Sequence, residues 1–282
     1  MNPHANHPTS LSAMLRSLWM NRALIVQMSR REILGRYRGS AMGLLWSFLN
    51  PLFMLLVYTF FFAVVFKSRW GAVPSGSTGA EESKTLFAVL LFAGMIVHGL
   101  FAEVLNRAPS LILSNVNYVK KVVFPLEILP VINMGAALFH AGISATVLAI
   151  VFIGVNHYLH WTVIFLPLIF LPLVILTMGF AWMLASLGVY LRDVGQFIGL
   201  AMTVMLFLSP VFYPISALPE KLRPWMHANP LTFIIEQTRE VIVWGNLPNF
   251  VGLFVYTLVA IIVAWIGFAW FQKTRKGFAD VL

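Results

Sequence analysis

Ser47, Asn50, Met54, Tyr58 and Phe61 recur at intervals of three and four residues, so on a helix they share one face, with Trp46 beside it. The chemistry of this stripe is that of sugar contact. A pyranose packs its C–H face on an aromatic ring while its hydroxyls seek polar partners. Tyr213, at the end of a later apolar run, has the same character. The competing reading of the same residues makes Trp46 an interfacial anchor and the rest of the stripe ordinary helix packing. Just before the stripe stand Arg36 and Arg38. Their planar forks suit a phosphate, which accepts two parallel bonds from a guanidinium. The same arginines also serve an inner membrane edge as simple positive anchors.

Other chemistry is sparse. The string from Gly79 to Thr85 lacks the second glycine of a phosphate-binding loop. There is no HExxH, no GxSxG and no EF-hand loop. The chain has no cysteine, which excludes disulfides, thiol catalysis and cysteine-ligated metal. Glu103 and Arg107 are four apart and are expected to pair along one helix face. His98 and His140 lie inside apolar runs, and a hydrogen bond between helices is the role expected of each. These residues predict neither catalysis nor a bound cofactor or metal.

The elements that must position them are membrane helices. Apolar residues make up 60% of the 282-residue chain and charged residues 10%, against about half and a quarter in soluble proteins. Runs of ~20 apolar residues span a bilayer core. Six qualify: 44–66, 86–105, 126–154 (with Pro130 near its start, so that the span itself begins at Val131), 163–188, 195–213 and 249–271. With the N-terminus inside, the 19 basic residues all fall on the inner side except Lys67, Arg69, Lys84, Lys221, Arg223 and Arg239. The net charge of +9 is then a topology signal and not a nucleic-acid footprint.

The flanking segments have characters of their own. Leu11, Met14, Leu15 and Leu18 recur at helical spacing behind Ser10, a capping residue. Residues 22–38 mix apolar side chains with arginines, as a helix lying along inner headgroups does. This stretch reads equally as a membrane anchor or as a contact with a partner protein. Residues 67–85 read as a flexible outer loop, and 106–125 as an inner amphipathic segment ending in Lys120 and Lys121. Residues 214–247 are outer yet rich in proline and apolar side chains, which predicts short re-entrant or interfacial helices. Gly195 and Gly199 form a GxxxG that serves either packing within the chain or a seam between two copies.

From Arg36 to Pro51 the sequence resembles the type-two ABC transporter permeases of polysaccharide export, above all their O-antigen (Wzm-like) branch. Further matches run from Asn117 to Glu127, at Arg192-Asp193, at Asn229-Pro230 and from Phe278 to Asp280. The resemblance implies an all-α membrane protein. It has a cytoplasmic N-terminal segment (1–43) with an amphipathic interface helix, six transmembrane helices (44–271) with outer re-entrant gate helices, and a cytoplasmic tail (272–282). It implies the permease subunit of an exporter moving a lipid-linked polysaccharide across the bacterial inner membrane, with both termini cytoplasmic. It further implies a homodimer, and a separate ATPase subunit carrying ATP and magnesium. The loop containing Asn117, Tyr118, Lys120 and Lys121 would couple to that ATPase, together with 22–35. Trp225, Asn229 and Pro230 would belong to the outer gate, and the spans of Trp46, Asn50, Tyr58, Phe61 and Tyr213 would line the path. A drug, small-lipid, capsule or teichoic-acid permease of the same superfamily is the alternative; drug and small-lipid permeases lack the Arg36–Ser40 opening, whereas capsule and teichoic-acid permeases are related to the O-antigen branch.

Overall fold

The computed structural model describes residues 8–61, 80–120 and 124–282. Among the described residues every regular element is helical. A bilayer enforces this, because helices satisfy their own backbone groups. Five apolar helical stretches are long enough to cross: Gly43–Phe61, Leu86–Ser110, Leu126–Asn156, Trp161–Tyr190 and Phe250–Val281. A shorter one is Val194–Leu208.

The chain opens with α1 (Leu11–Met20), whose Ser10 side chain accepts from the Ala13 N–H at 3.2 Å as a cap. Its apolar face is the expected one. Leu11, Met14, Leu15 and Leu18 border an apolar crevice of about 480 Å³ against Val174, Trp182 and Ala264. Next comes α2 (Arg22–Tyr37), which does not simply lie on the headgroups. It packs along α6 (Leu129–Asn156), where Ser29 Oγ donates to the Ile132 carbonyl.

Of the first predicted span, α3 (Trp46–Tyr58) and the turn to Phe61 are described, and 62–66 lie outside the described residues. Pro51 sits inside α3 and cannot donate to the Ser47 carbonyl one turn below. α4 (Ala80–Arg107) begins earlier than its apolar run, because Ala, Glu and Lys at 80–84 form helix readily. So the outer loop is helical from Ala80 on, and its first part, 67–79, lies outside the described residues. α4 is the central helix: Leu90, Leu91, Val97 and Val104 are fully buried.

α6 starts at Leu129 and not at Val131, since Pro130 falls in its first turn, where its missing N–H costs nothing. α7 (Leu166–Tyr190) and α11 (Phe250–Thr274) make the most extensive helix pair. There a Cβ on Gly179 would lie 2.6 Å from the Val263 carbonyl oxygen, and one on Gly267 would overlap the Gly179 carbonyl. Glycine permits that backbone approach. The Gly195-Gly199 pair does no such work within the chain. It lies on α8 (Val194–Leu208), and a Cβ at either position meets nothing within 4 Å. α8 also ends at Leu208, not at Tyr213. Pro210 disfavours the helical conformation at the residue before it, and Ser209 is extended, at φ −98° and ψ 151°.

Residues 214–247 fold as predicted into short helices, α9 (Arg223–Ala228) and α10 (Pro230–Arg239). α10 is buried at Leu231, Ile234 and Ile235, and it packs on α4 and α7. Arg239 bolts it down. Its Nε donates to the Leu90 carbonyl at 2.9 Å and its Nη2 to the Val211 carbonyl at 3.0 Å.

At the other end of α4 the two termini meet. Glu127 accepts from Ser17 Oγ at 2.8 Å and from Arg275 Nη1 at 2.7 Å, while its carbonyl accepts from Trp182 Nε1. The short helix α5 (Val116–Lys120) lies beside α12 (Phe278–Val281) at this same end.

Candidate functional site

The packing of α3 against α4 and α6 leaves a chamber of about 250 Å³. Asn50 and Tyr58 of the predicted stripe line it, as do Ser47 and Met54, and so does Arg36 from the end of α2. Pocket residues on α4 run from Phe92 to Glu103, a rise of about 16 Å. The chamber is therefore a slot along the helices. Asn50 and Tyr58, eight residues apart, stand ~12 Å apart along its wall.

The charged end of the slot is built from three helices. Arg36 Nη1 lies 2.8 Å from Glu103 Oε1, and His140 Nδ1 lies 2.9 Å from the same oxygen. Tyr37 Oη is 3.2 Å from His140 Nε2. Burial raises the Tyr37 hydroxyl above its ordinary pKa, so it keeps its proton and donates. Arg36 is 36% exposed, Glu103 22% and His140 16%.

This corrects the expected Glu103–Arg107 pair. Arg107 instead binds Glu32 on α2, and Glu103 turns to Arg36 and His140. α2, packed along α6, brings Glu32 and Arg36 within reach of α4 and offers each side chain a partner that local spacing does not reveal. The histidines do bond between helices, His98 Nε2 lying 3.0 Å from the Met202 carbonyl. His140, however, has a carboxylate beside it, which sequence proximity had not indicated. A lone polar residue in an apolar run is a signal of a site, but its partner is 37 residues away in sequence.

Not every predicted residue joins the chamber. Trp46, at the start of α3, and Phe61, in the turn beyond its end, are exposed. Arg38 is exposed beyond the end of α2. Tyr213 is on the turn after α8, where its hydroxyl donates to the Phe207 carbonyl.

In the outer segment, Asn229 caps α10 by accepting from the Leu231 N–H, and its amide donates to the Leu208 carbonyl and Ser209 Oγ, each at 3.0 Å. Asn229-Pro230 is thus a joint between α8 and α10, with Pro230 preset for the first helical turn. Trp225 is 77% exposed on α9.

In the inner loop, Asn117 and Lys120 are exposed, and Lys121 lies outside the described residues. Tyr118 turns inward, stacking on Phe124 at 4.3 Å while its hydroxyl accepts from Arg31 Nη2 at 3.1 Å. The hub residue Glu127 carried no assigned role in the sequence, although it stands in the stretch that resembles the permeases.

Volume limits what the chamber does. About 250 Å³ is below the usual ~300–1,000 Å³ of small-molecule sites. It is large enough for a group the size of a head group or a sugar ring and too small for a polymer.

Comparison with known proteins gives a consistent picture. The family model described as "ABC-2 type transporter" matches residues 23–243. The chain is 26% identical over 269 residues to an O-antigen export system permease protein RfbA of Myxococcus xanthus, covering 95% of this chain and 98% of that one. It is 28% identical over 261 residues to a protein of the same name from Klebsiella pneumoniae, covering 92% and 95%. It is 22% identical over 249 residues to the polysialic acid transport protein KpsM of Escherichia coli, covering 87% and 91%.

Proposed function

Because the chain belongs to the ABC-2 type transporter family, we propose that it is the permease of an ATP-driven exporter carrying a lipid-linked polysaccharide of the O-antigen kind across the bacterial inner membrane. The names of its relatives support the substrate class, and the similarity runs along nearly the whole chain. The observation that carries the reading is the chamber. It joins a guanidinium, Arg36, to a wall bearing Asn50 and Tyr58, which suits an anionic lipid head followed by a sugar.

In this scheme ATP and magnesium sit on a separate ATPase subunit, and this chain binds no cofactor. The end of the bundle where α1, α5 and α12 gather faces that subunit in the cytoplasm, with both termini there. Asn117 and Lys120 are exposed for the contact, and Tyr118 relays it to Arg31 and α2. Two copies pair across α3 and α8. Both helices lie against α4 and bear exposed apolar residues, among them Phe53, Leu56, Phe197 and Leu200. The open Gly195-Gly199 face supports a close seam there. The polymer passes between the copies, past Trp46, Phe61 and Tyr213, with α9 and α10 as the outer gate at Trp225 and the Asn229-Pro230 joint. Arg36 receives the lipid head, and Arg38 supplies positive charge at the approach.

The test is reconstitution of the purified chain with its ATPase in proteoliposomes loaded with lipid-linked O-antigen. Polymer should cross only with ATP and both subunits, and Arg36→Gln should reduce crossing while assembly persists. ATP-independent crossing, or none with an active ATPase, overturns the assignment.

A further inference from the structure

The charged end of the chamber is arranged oddly for a site that receives an anion, because its cation is already engaged. Arg36 Nη1 lies 2.8 Å from Glu103 Oε1, and the same oxygen takes His140 Nδ1 at 2.9 Å. One bonding scheme satisfies the contacts. His140 donates from Nδ1 to Glu103, and its Nε2 meets the Tyr37 hydroxyl 3.2 Å away. An Nδ1 that donates cannot also accept from Arg36, so the 3.0 Å approach of Arg36 Nη1 to His140 Nδ1 reflects two donors converging on one carboxylate.

We infer that Glu103 is a placeholder for the phosphate of the lipid carrier: its carboxylate holds the Arg36 fork at the chamber, and an arriving phosphate takes Arg36 while Glu103 stays on His140. The inference rests on the reading of the chain as an exporter of a lipid-linked polymer, and it names the ligand group and the residues that select it.

Four observations carry it. First, carboxylate and phosphate both offer a guanidinium anionic oxygens, so a phosphate oxygen can take the place of Glu103 Oε1 at Arg36 Nη1. Second, an unpaired guanidinium beside apolar helices is costly, and Glu103 removes that cost at rest. Third, His140 comes from a different helix than Arg36, so Glu103 keeps a donor after the exchange and is not stranded. Fourth, the pair is partly open, 36% and 22% exposed, so exchange does not require opening a sealed ion pair. The neighbouring cation on α4, Arg107, is bound by Glu32. That leaves Arg36 as the arginine lining the chamber.

The experiment uses the permease–ATPase complex in nanodiscs. The probes are a short polyprenyl pyrophosphate and the corresponding neutral polyprenol. The native complex should prefer the pyrophosphate. Glu103→Gln should tighten pyrophosphate binding about fivefold, the scale of a partly exposed ion pair no longer competing, and leave the polyprenol unchanged. Glu103→Asp, which keeps the charge but retracts it, should shift binding in the same direction and covers the case in which the glutamine variant fails to assemble. Arg36→Gln should erase the preference. If Glu103→Gln or Glu103→Asp weakens pyrophosphate binding as Arg36→Gln does, Glu103 only props the arginine and the placeholder is refuted. Equal binding of both probes by the native complex refutes it as well. ATP-driven polymer crossing in proteoliposomes is scored separately, so the exporter reading stands or falls on its own.

Discussion

Replacing Glu127 with alanine should detach the two termini from the bundle. The carboxylate accepts from Ser17 at 2.8 Å and from Arg275 at 2.7 Å, with side-chain exposures of 9% for Glu127 and 12% for Arg275. The pair is therefore buried, and the scale for surface ion pairs does not apply. Removing one partner of a buried pair costs about 3–5 kcal/mol, because the other charge is left uncompensated. Arg275 keeps one acceptor, the Phe124 carbonyl at 3.0 Å, which places the expected loss near the lower end, about 3 kcal/mol. Replacing both residues, Glu127→Leu with Arg275→Met, should recover most of the loss, since no buried charge then remains. Unfolding of the detergent-solubilised protein, followed for the two single variants and the double variant, reads this directly. A Glu127→Ala protein within about 0.5 kcal/mol of the native one, or a double variant no better than the single, refutes the reasoning.

Other expectations concern packing and coupling. Gly267→Leu drives a side chain into the Gly179 carbonyl and should cost about 3 kcal/mol. Gly199→Leu meets open space within the chain, so it should leave protomer unfolding unchanged and lower the dimer fraction measured by single-molecule photobleaching. Tyr118→Ala removes the Phe124 stack and the Arg31 hydrogen bond. It should leave ATP hydrolysis running while polymer export falls, as paired assays on the same preparation would report. Normal export with this variant would argue against a relay through α5. Since the chain has no cysteine, single cysteines at Asn117 and Trp225 should label from opposite sides of the membrane.

Much of the scaffold was legible because the bilayer writes it into composition. Long apolar runs gave the spans, and proline-separated apolar stretches gave α9 and α10. The spacing of Leu11, Met14, Leu15 and Leu18 gave the face of α1 that borders the apolar crevice. Half of the chamber was legible too, since the stripe of Ser47, Asn50, Met54 and Tyr58 is a local helical pattern. Its other half was not. Glu103 looked like the partner of Arg107 because spacing along one helix reveals only neighbours on that helix. Its actual partners, Arg36 and His140, arrive with α2 and α6. The glycines show the same limit of local spacing. Gly195-Gly199 has the familiar spacing, whereas Gly179 and Gly267 meet across two helices and carry no motif. The end of α8 was written in Pro210, but the apolar character of Val211, Phe212 and Tyr213 masked it.

The central claim is that a polysaccharide carrier is handled along α3 with its head at Arg36. A photo-crosslinking amino acid at Tyr58, in cells making the polymer and its ATPase, tests this most directly. The account predicts a crosslinked adduct that carries polysaccharide, is lost with Arg36→Gln, and is absent when the crosslinker is placed at Val251, which is 76% exposed on α11. A sugar-free product at Tyr58, or equal sugar-bearing adducts at Tyr58 and Val251, contradicts it.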